Sequence, residues 1–281
     1  QEKENTIKPA LNYQYKTSIK QIDAALWNKL IDKQNIFDWD GLCFLEDAFT
    51  NCSEIENNWE FHYFIISDNF GNPIVATFFT FGLWKDDMLA PVSVSLQLEE
   101  KRMKNPFCMT SKVLGMGSLF TEGNHCYINK KHSLSKEALL LLLEKAEMLY
   151  QDLNADMLVL RDFEENQWLS DLFHNLGFIK IAMPQTCVIT DINWNNNQEF
   201  AAILSPRSKK HFTREVLPYE KMFRVIIKDR LTDNEVAHAY SLYKNVKNNN
   251  YAVNTFTYPI EKKKKMGAHP FCPAKKRESP F

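Results

Sequence analysis

A chain of 281 residues with 44% hydrophobic and 25% charged residues can bury a core large enough for one large domain or two smaller ones. It contains no apolar window near the ~20 residues that a membrane-spanning helix needs, and its 8 glycines argue against glycine-rich phosphate loops, collagen and blade repeats. The net charge of −1 conceals an asymmetry: residues 1–200 hold 17 Lys and Arg against 28 Asp and Glu, whereas residues 201–281 hold 17 against 7.

Residues 1–12 read as a flexible N-terminus without an apolar leader, and 13–19 as a first strand. Asp23 is placed to cap a helix that carries Leu26, Trp27, Leu30 and Ile31 at helical spacing. A short helix is expected over 42–49. Strands over 61–67 and 74–81 flank a turn dense in Asp, Asn, Gly and Pro, which predicts a β-hairpin. Residues 83–110 read as a long excursion or a helical insert. A strand follows at 113–119, then a loop over 121–125. Ser135 is expected to cap the clearest element of the chain, a helix over 136–153 with Leu139, Leu142, Leu143 and Ala146 on one face. A short apolar strand at 157–160 reads as the centre of a sheet. A helix over 167–176 ends at Gly177, a C-cap, and strands at 178–182 and 187–190 complete the unit.

The polar run 193–197 marks a domain boundary. Beyond it come a helix near Gln198, a restart at Ser205-Pro206, a strand at 223–228 and a helix that Asp233 caps. This order repeats the opening strand and helices of the first unit and then stops. Residues 261–281 have no periodicity and read as a disordered basic tail. The fold class is thus α/β with a mixed sheet: one unit over 13–192 and a partial or truncated second one over 198–260.

Three stretches carry a resemblance. The run His174-Asn175-Leu176-Gly177-Phe178 is similar to the helix-to-strand junction of the GNAT acyltransferase superfamily. Residues 113–125, from Val113 through Gly117, Thr121 and His125, resemble the strand-and-loop signature of its Fem-like branch. Residues 204–215, Leu-Ser-Pro-Arg-Ser-Lys-Lys-His-Phe-Thr-Arg-Glu, resemble the segment that links the two units of that branch. The resemblance implies a bacterial-type transferase with a GNAT-like acyltransferase fold. It implies N-acyl, N-acetyl or aminoacyl transfer from a thioester or ester donor, acyl-CoA or aminoacyl-tRNA, to an amine. The pyrophosphate loop of acetyl-CoA enzymes has only a loose counterpart at 112–117, which reads better as a strand.

The residues themselves supply candidates. Arg207, Lys210, His211 and Arg214 recur at helical spacing, and with Lys209 they crowd cations at a helix start, where an anionic ligand would offset the opposing dipole. Glu122, Asn124, His125 and Tyr127 follow a strand, where loops commonly carry function and where a carboxylate or imidazole can take a proton. Arg161 follows the central strand, at the edge where open α/β sheets bind ligands. The cysteines, no two closer than nine residues, have no zinc-ligand spacing, and neither do the histidines, so no metal is assigned. Thiols without a leader point to the cytoplasm. The competing readings are a catalytically inactive GNAT-like binding module and a protein that binds RNA or a phosphate ligand.

Overall fold

A computed structural model describes residues 11–31, 37–163, 166–182, 192–224, 226–228, 231–251 and 253–259. The chain divides into two compact units, residues 1–166 with 231–281, and residues 167–230.

The first unit begins with β1 (Asn12–Lys16), α1 (Ala24–Leu30), α2 (Trp39–Phe49), β2 (Glu60–Ser67) and β3 (Pro73–Lys85). As expected, Asp23 caps α1 by accepting from Leu26 N at 2.8 Å. The 68–72 turn joins β2 to β3 with Gly71 at φ +82°, a conformation that costs a glycine nothing. The excursion after β3 carries α3 (Val92–Arg102). Then come β4 (Thr110–Met116), β5 (Cys126–Ile128), α4 (Ser135–Asp152) and β6 (Met157–Val159). The sequence does not show β5, and β4 sits three residues earlier than expected. Ser135 is the first residue of α4 and not its cap: the cap is Leu134, while Ser135 Oγ donates to Asn129 O and His132 O.

The sheet runs β1-β2-β3-β4-β6, with β5 also on β3. All neighbours are antiparallel except β4 and β6, which pair in parallel through Val113–Met157, Leu114–Leu158 and Gly115–Val159. This is the mixed α/β class that the element order predicts, with α4 as the crossover. Alternation puts Phe61, Tyr63, Ile65, Ala76 and Phe78 on one face, in one core cluster with Trp27 of α1 and Leu42, Leu45 and Phe49 of α2. α4 packs on β2, β3 and β6 and buries Ala138, Leu139, Leu142, Leu143 and Ala146. Each such leucine contributes roughly 1.5–3 kcal/mol. The buried side chain of Glu46 accepts from Ser18 Oγ, Ile19 N and Tyr63 OH, so both its oxygens are hydrogen-bonded.

The last described part of the first unit is α9 (Asp233–Asn249), followed by a segment over 253–259 that is neither helix nor strand. The cap of α9 is Thr232, not Asp233, and with Glu235 it forms a capping box. The second unit is expected from the sequence over 198–260, and the compact units divide the chain differently. Residues 231–251 and 253–259 fall with the first unit, where Asn254 is buried among Lys85, Asp87 and Glu99.

The second unit holds α5 (Gln167–Asn175), α6 (Asn197–Ile203), α7 (Pro206–His211) and α8 (Leu217–Glu220), with a π turn at Phe212–Val216 between the last two. Gly177 ends α5 at φ +87°, as expected. Ser205 caps α7 with Pro206 at its first turn, again as expected. The strands expected at 178–182 and 223–228 are absent among the described residues there. The strand expected at 187–190 and the tail at 261–281 lie outside the described residues.

Candidate functional site

The parallel pairing of β4 and β6 stops at Gly115 and Val159. Gly117 then turns the chain at φ +74°, its amide donating to Phe78 O at 2.8 Å. A side chain there would be strained and would strike the imidazole of His125, 2.5 Å from an added Cβ. Residues 118–121 close a tight turn in which Ser118 N donates to Thr121 Oγ1 and Thr121 N to Ser118 O. The chain returns to β3 through β5, so β4 and β5 lie along the same edge of β3 with residues 117–125 looped out between them.

Beyond β6, Arg161 reaches back to this turn. Its Nη1 donates to Ser118 O at 2.8 Å, its Nη2 to Thr121 O at 3.1 Å and its Nε to Asp162 Oδ2 at 2.9 Å. Asp162 itself holds φ +61°, a left-handed conformation that costs a non-glycine residue roughly 1–2 kcal/mol. His125 is fully buried, pressed against the rings of Phe37 and Phe78, with Nε2 2.8 Å from Thr121 Oγ1. Its Nδ1 has no hydrogen-bond partner among the described residues and faces Asp162 Oδ2 at 3.6 Å. Burial, with a smaller push from the Arg161 charge, drives the imidazole pKa down to about 3, so the ring is neutral at ordinary pH.

The structure therefore brings His125 and Arg161 together through Thr121. Glu122 and Asn124 are exposed on the same loop, and Asn124 Oδ1 accepts from Cys126 N at 3.0 Å. Tyr127 lies on β5, half-buried against the aromatic core. Ser118, Thr121 and Asp162 complete the cluster. Sequence reasoning passed over Ser118 and Thr121, because their role depends on a turn closed by an arginine 40 residues away.

Arg207, Lys209, Lys210 and Arg214 lie in the other unit and are exposed. The π turn breaks the 3.6-residue register that put Arg214 in line with Arg207. His211 Nδ1 pairs with Glu215 Oε2 at 3.0 Å. A concavity of about 460 Å³ in this unit is lined by Phe212, Val216, Leu217, Tyr219 and Phe223 with Asn197, Glu215 and Glu220, and by none of those four cations.

A CoA-type donor needs amides and cations for its phosphates. Residues 112–115 cannot serve, since they are strand, paired to β3 on one side. The connection into α4 fits better. The amides of Ser133, Lys136 and Glu137 donate to no acceptor among the described residues, and Lys130, Lys131 and Lys136 are exposed beside them. The nearby carboxylate of Asp68 is engaged by Phe70 N, Asn72 N, Asn72 Nδ2 and His132 Nε2. Among the described residues, no group of three His, Cys, Asp or Glu is gathered as metal ligands. Nor is any described helix long and apolar enough to cross a membrane.

No family model and no curated protein matches this sequence. Among the solved structures similar to it are the following three. One is a probable acetyltransferase, 13% identical over 64% of this chain and 99% of that one, with a TM-score of 0.35. A second is a ribosomal-protein-alanine N-acetyltransferase from Brucella melitensis biovar Abortus 2308, 14% identical over 65% and 99%, with a TM-score of 0.31. The third is a protein from Bacillus halodurans, 10% identical over 64% and 99%, with a TM-score of 0.34.

Proposed function

We propose that the first unit is a GNAT-type acyltransferase domain that moves an acyl or aminoacyl group from a thioester or ester donor to an amine. One observation carries the reading. Two parallel strands, β4 and β6, are joined by the α4 crossover, follow an antiparallel run of strands and stop pairing where a polar turn begins. The stretches 113–125 and 204–215 support the finer assignment to the Fem-like branch.

In this reading the amides of Ser133, Lys136 and Glu137, with Lys130 and Lys131, hold the donor phosphates. A bound thioester or ester supplies the activated acyl group. Transfer then needs positioning and a proton acceptor. Glu122, exposed on the turn, is the acceptor, and Tyr127 is the nearby hydroxyl. His125 is buried and neutral, so its part is to hold Thr121, while Arg161 fixes the turn from the other side. Arg207, Lys209, Lys210 and Arg214 form the alternative anion site. The free thiols of Cys43, Cys52, Cys108 and Cys126 support a cytoplasmic location.

The second reading, an inactive binding module, is favoured by the full burial of His125 and by the Arg161 brace across the turn. Thermal shift and thiol release with acetyl-CoA, longer acyl-CoAs and a panel of amines, and thermal shift with aminoacyl-tRNA, separate the two. Stabilisation by a donor together with acyl transfer upholds the enzyme. Stabilisation without transfer upholds the module, and no response to any donor sinks the transfer reading.

A further inference from the structure

Residues 253–259 are held on the first unit in the manner of a bound peptide. The segment forms neither helix nor strand: Asn254 is buried, Thr255, Phe256, Tyr258 and Pro259 are half-buried, and Val253 and Thr257 are exposed. Asn254, Phe256 and Tyr258 each meet a different environment. Asn254 is 2% exposed. Its Nδ2 donates to Asp87 Oδ2 at 2.8 Å and to Glu99 Oε1 at 2.9 Å, and its Oδ1 accepts from Lys85 Nζ at 3.3 Å. Arg102 binds the same two carboxylates from below, at 2.6 and 2.7 Å. The Phe256 ring lies 5.2 Å from the Lys85 ammonium and 6.5 Å from the ring of Phe107. Tyr258 enters an aromatic pocket, edge-on to Phe49 and Phe120 at 5.7 and 5.0 Å. Backbone bonds add register: Asn254 N donates to Met88 O, and Thr257 O accepts from Asn57 Nδ2.

The segment is gripped from two sides. On one, α9 holds it by polar contacts: Lys247 Nζ donates to Thr255 O at 2.7 Å, and Tyr243 OH accepts from Tyr258 N at 3.1 Å. On the other, the floor of the polar pocket is built by α3 and the connection before it, an excursion that the sheet itself does not need.

We propose that this groove is a peptide-recognition site that reads the pattern Asn-x-Phe-x-Tyr, and that residues 253–259 occupy it as a releasable ligand in cis. Backbone bonds hold the peptide and alternate pockets select it. The Asn pocket is the selective one. Its two carboxylates and two cations pair with one another, and an amide, which donates and accepts at once, meets both signs of charge. An aspartate there would set a third carboxylate against Asp87 and Glu99. The inference is independent of the transfer reading.

The test uses the full chain and a fluorescent ten-residue peptide with the sequence of residues 250–259. In the Asn254→Ala/Tyr258→Ala variant the groove is vacated, and anisotropy should report binding at least tenfold tighter than to the wild type. The same peptide with Asp in place of its Asn254 should not bind. Should the double variant fail to fold by circular dichroism, the wild type serves. Excess peptide should then speed amide exchange of residues 253–259 while β2 and β3 stay protected. Equal binding to wild type and folded variant, equal binding of the Asp peptide, or exchange unmoved by peptide each overturns the proposal.

Discussion

Nδ1 of His125 stands 3.6 Å from Oδ2 of Asp162, a buried ring nitrogen without a hydrogen-bond partner among the described residues facing a carboxylate on a left-handed residue. The two are held apart by the groups that hold them in place. Asp162 is drawn to Arg161 Nε at 2.9 Å, and His125 is tied through Nε2 to Thr121. The turn at 118–121 is thus clamped from two sides, by an imidazole below and a guanidinium beyond β6. A preorganised turn at the end of a parallel pair suits a site that must position reactants and not move.

Acid should weaken the fold early. His125 is pushed down to about 3 and His62 to about 4 by burial, both from an ordinary value of 6.5. A depressed histidine pKa means that the unfolded chain takes up protons near pH 6.5 while the folded chain does not. Stability is therefore full above that pH and falls as pH drops toward 4. The slope is about 1.4 kcal/mol per pH unit for each histidine. Urea midpoints measured from pH 7 to 4.5 should show it, and His62→Phe should remove about half of the slope. A flat profile in the wild type would show that neither ring is buried neutral.

Gly117→Ala should cost at least about 2 kcal/mol, because the left-handed backbone penalises any side chain and the new methyl strikes His125. Gly71→Ala is the control. It shares the positive φ, but nothing lies within 4 Å of its added Cβ, so it should cost only about 1 kcal/mol. Equal losses in chemical denaturation would remove the packing argument at His125.

The cluster under Asn254 gives a third expectation. Arg102 is the shared cation of Asp87 and Glu99; burial raises the Asp87 carboxyl, but hydrogen bonds from Arg102 and Asn254, with the Arg102 charge added, hold it down at about 2. Arg102→Met leaves a buried carboxylate uncompensated and should destabilise by about 3–5 kcal/mol. Adding Asp87→Asn to that variant should recover part of the loss. A single variant within about 1 kcal/mol of wild type would mean that water already screens the cluster.

What the sequence revealed depended on how local each signal was. The Asp23 cap, the 68–73 turn, the Gly177 stop and the stripe on α4 are each written within a few residues, and all appear in the structure. The three residues of β5 carry no such pattern, because their strand state is imposed by Val75–Thr77 on β3, about 50 residues earlier. Asn254 reads as an ordinary polar residue until the fold sets it against Asp87, 167 positions away. The candidate turn at 121–125 was legible as a polar loop after a strand. The burial of His125 was not, since nothing near it in sequence announces Phe37 and Phe78 as its walls.

The two candidate anion sites can be told apart by charge reversal. One is the start of α4 with Lys131 and Lys136; the other is the exposed set of Arg207, Lys209, Lys210 and Arg214 in the second unit. The α4 site combines cations with amides that lack acceptors at the start of an 18-residue helix, whereas α7 has six residues and its Ser205 cap already takes the Ser208 amide. Lys131→Glu/Lys136→Glu should therefore weaken an acyl-CoA donor at least tenfold, about 1.4 kcal/mol, and leave an acyl-pantetheine donor without the pyrophosphate unchanged. Arg207→Glu/Lys210→Glu should leave both donors unchanged. Titration calorimetry of the four combinations decides it. Loss confined to the second pair of substitutions would move the phosphate site to the second unit, and loss of acyl-pantetheine binding with the first pair would show damage to the fold instead of lost phosphate contacts.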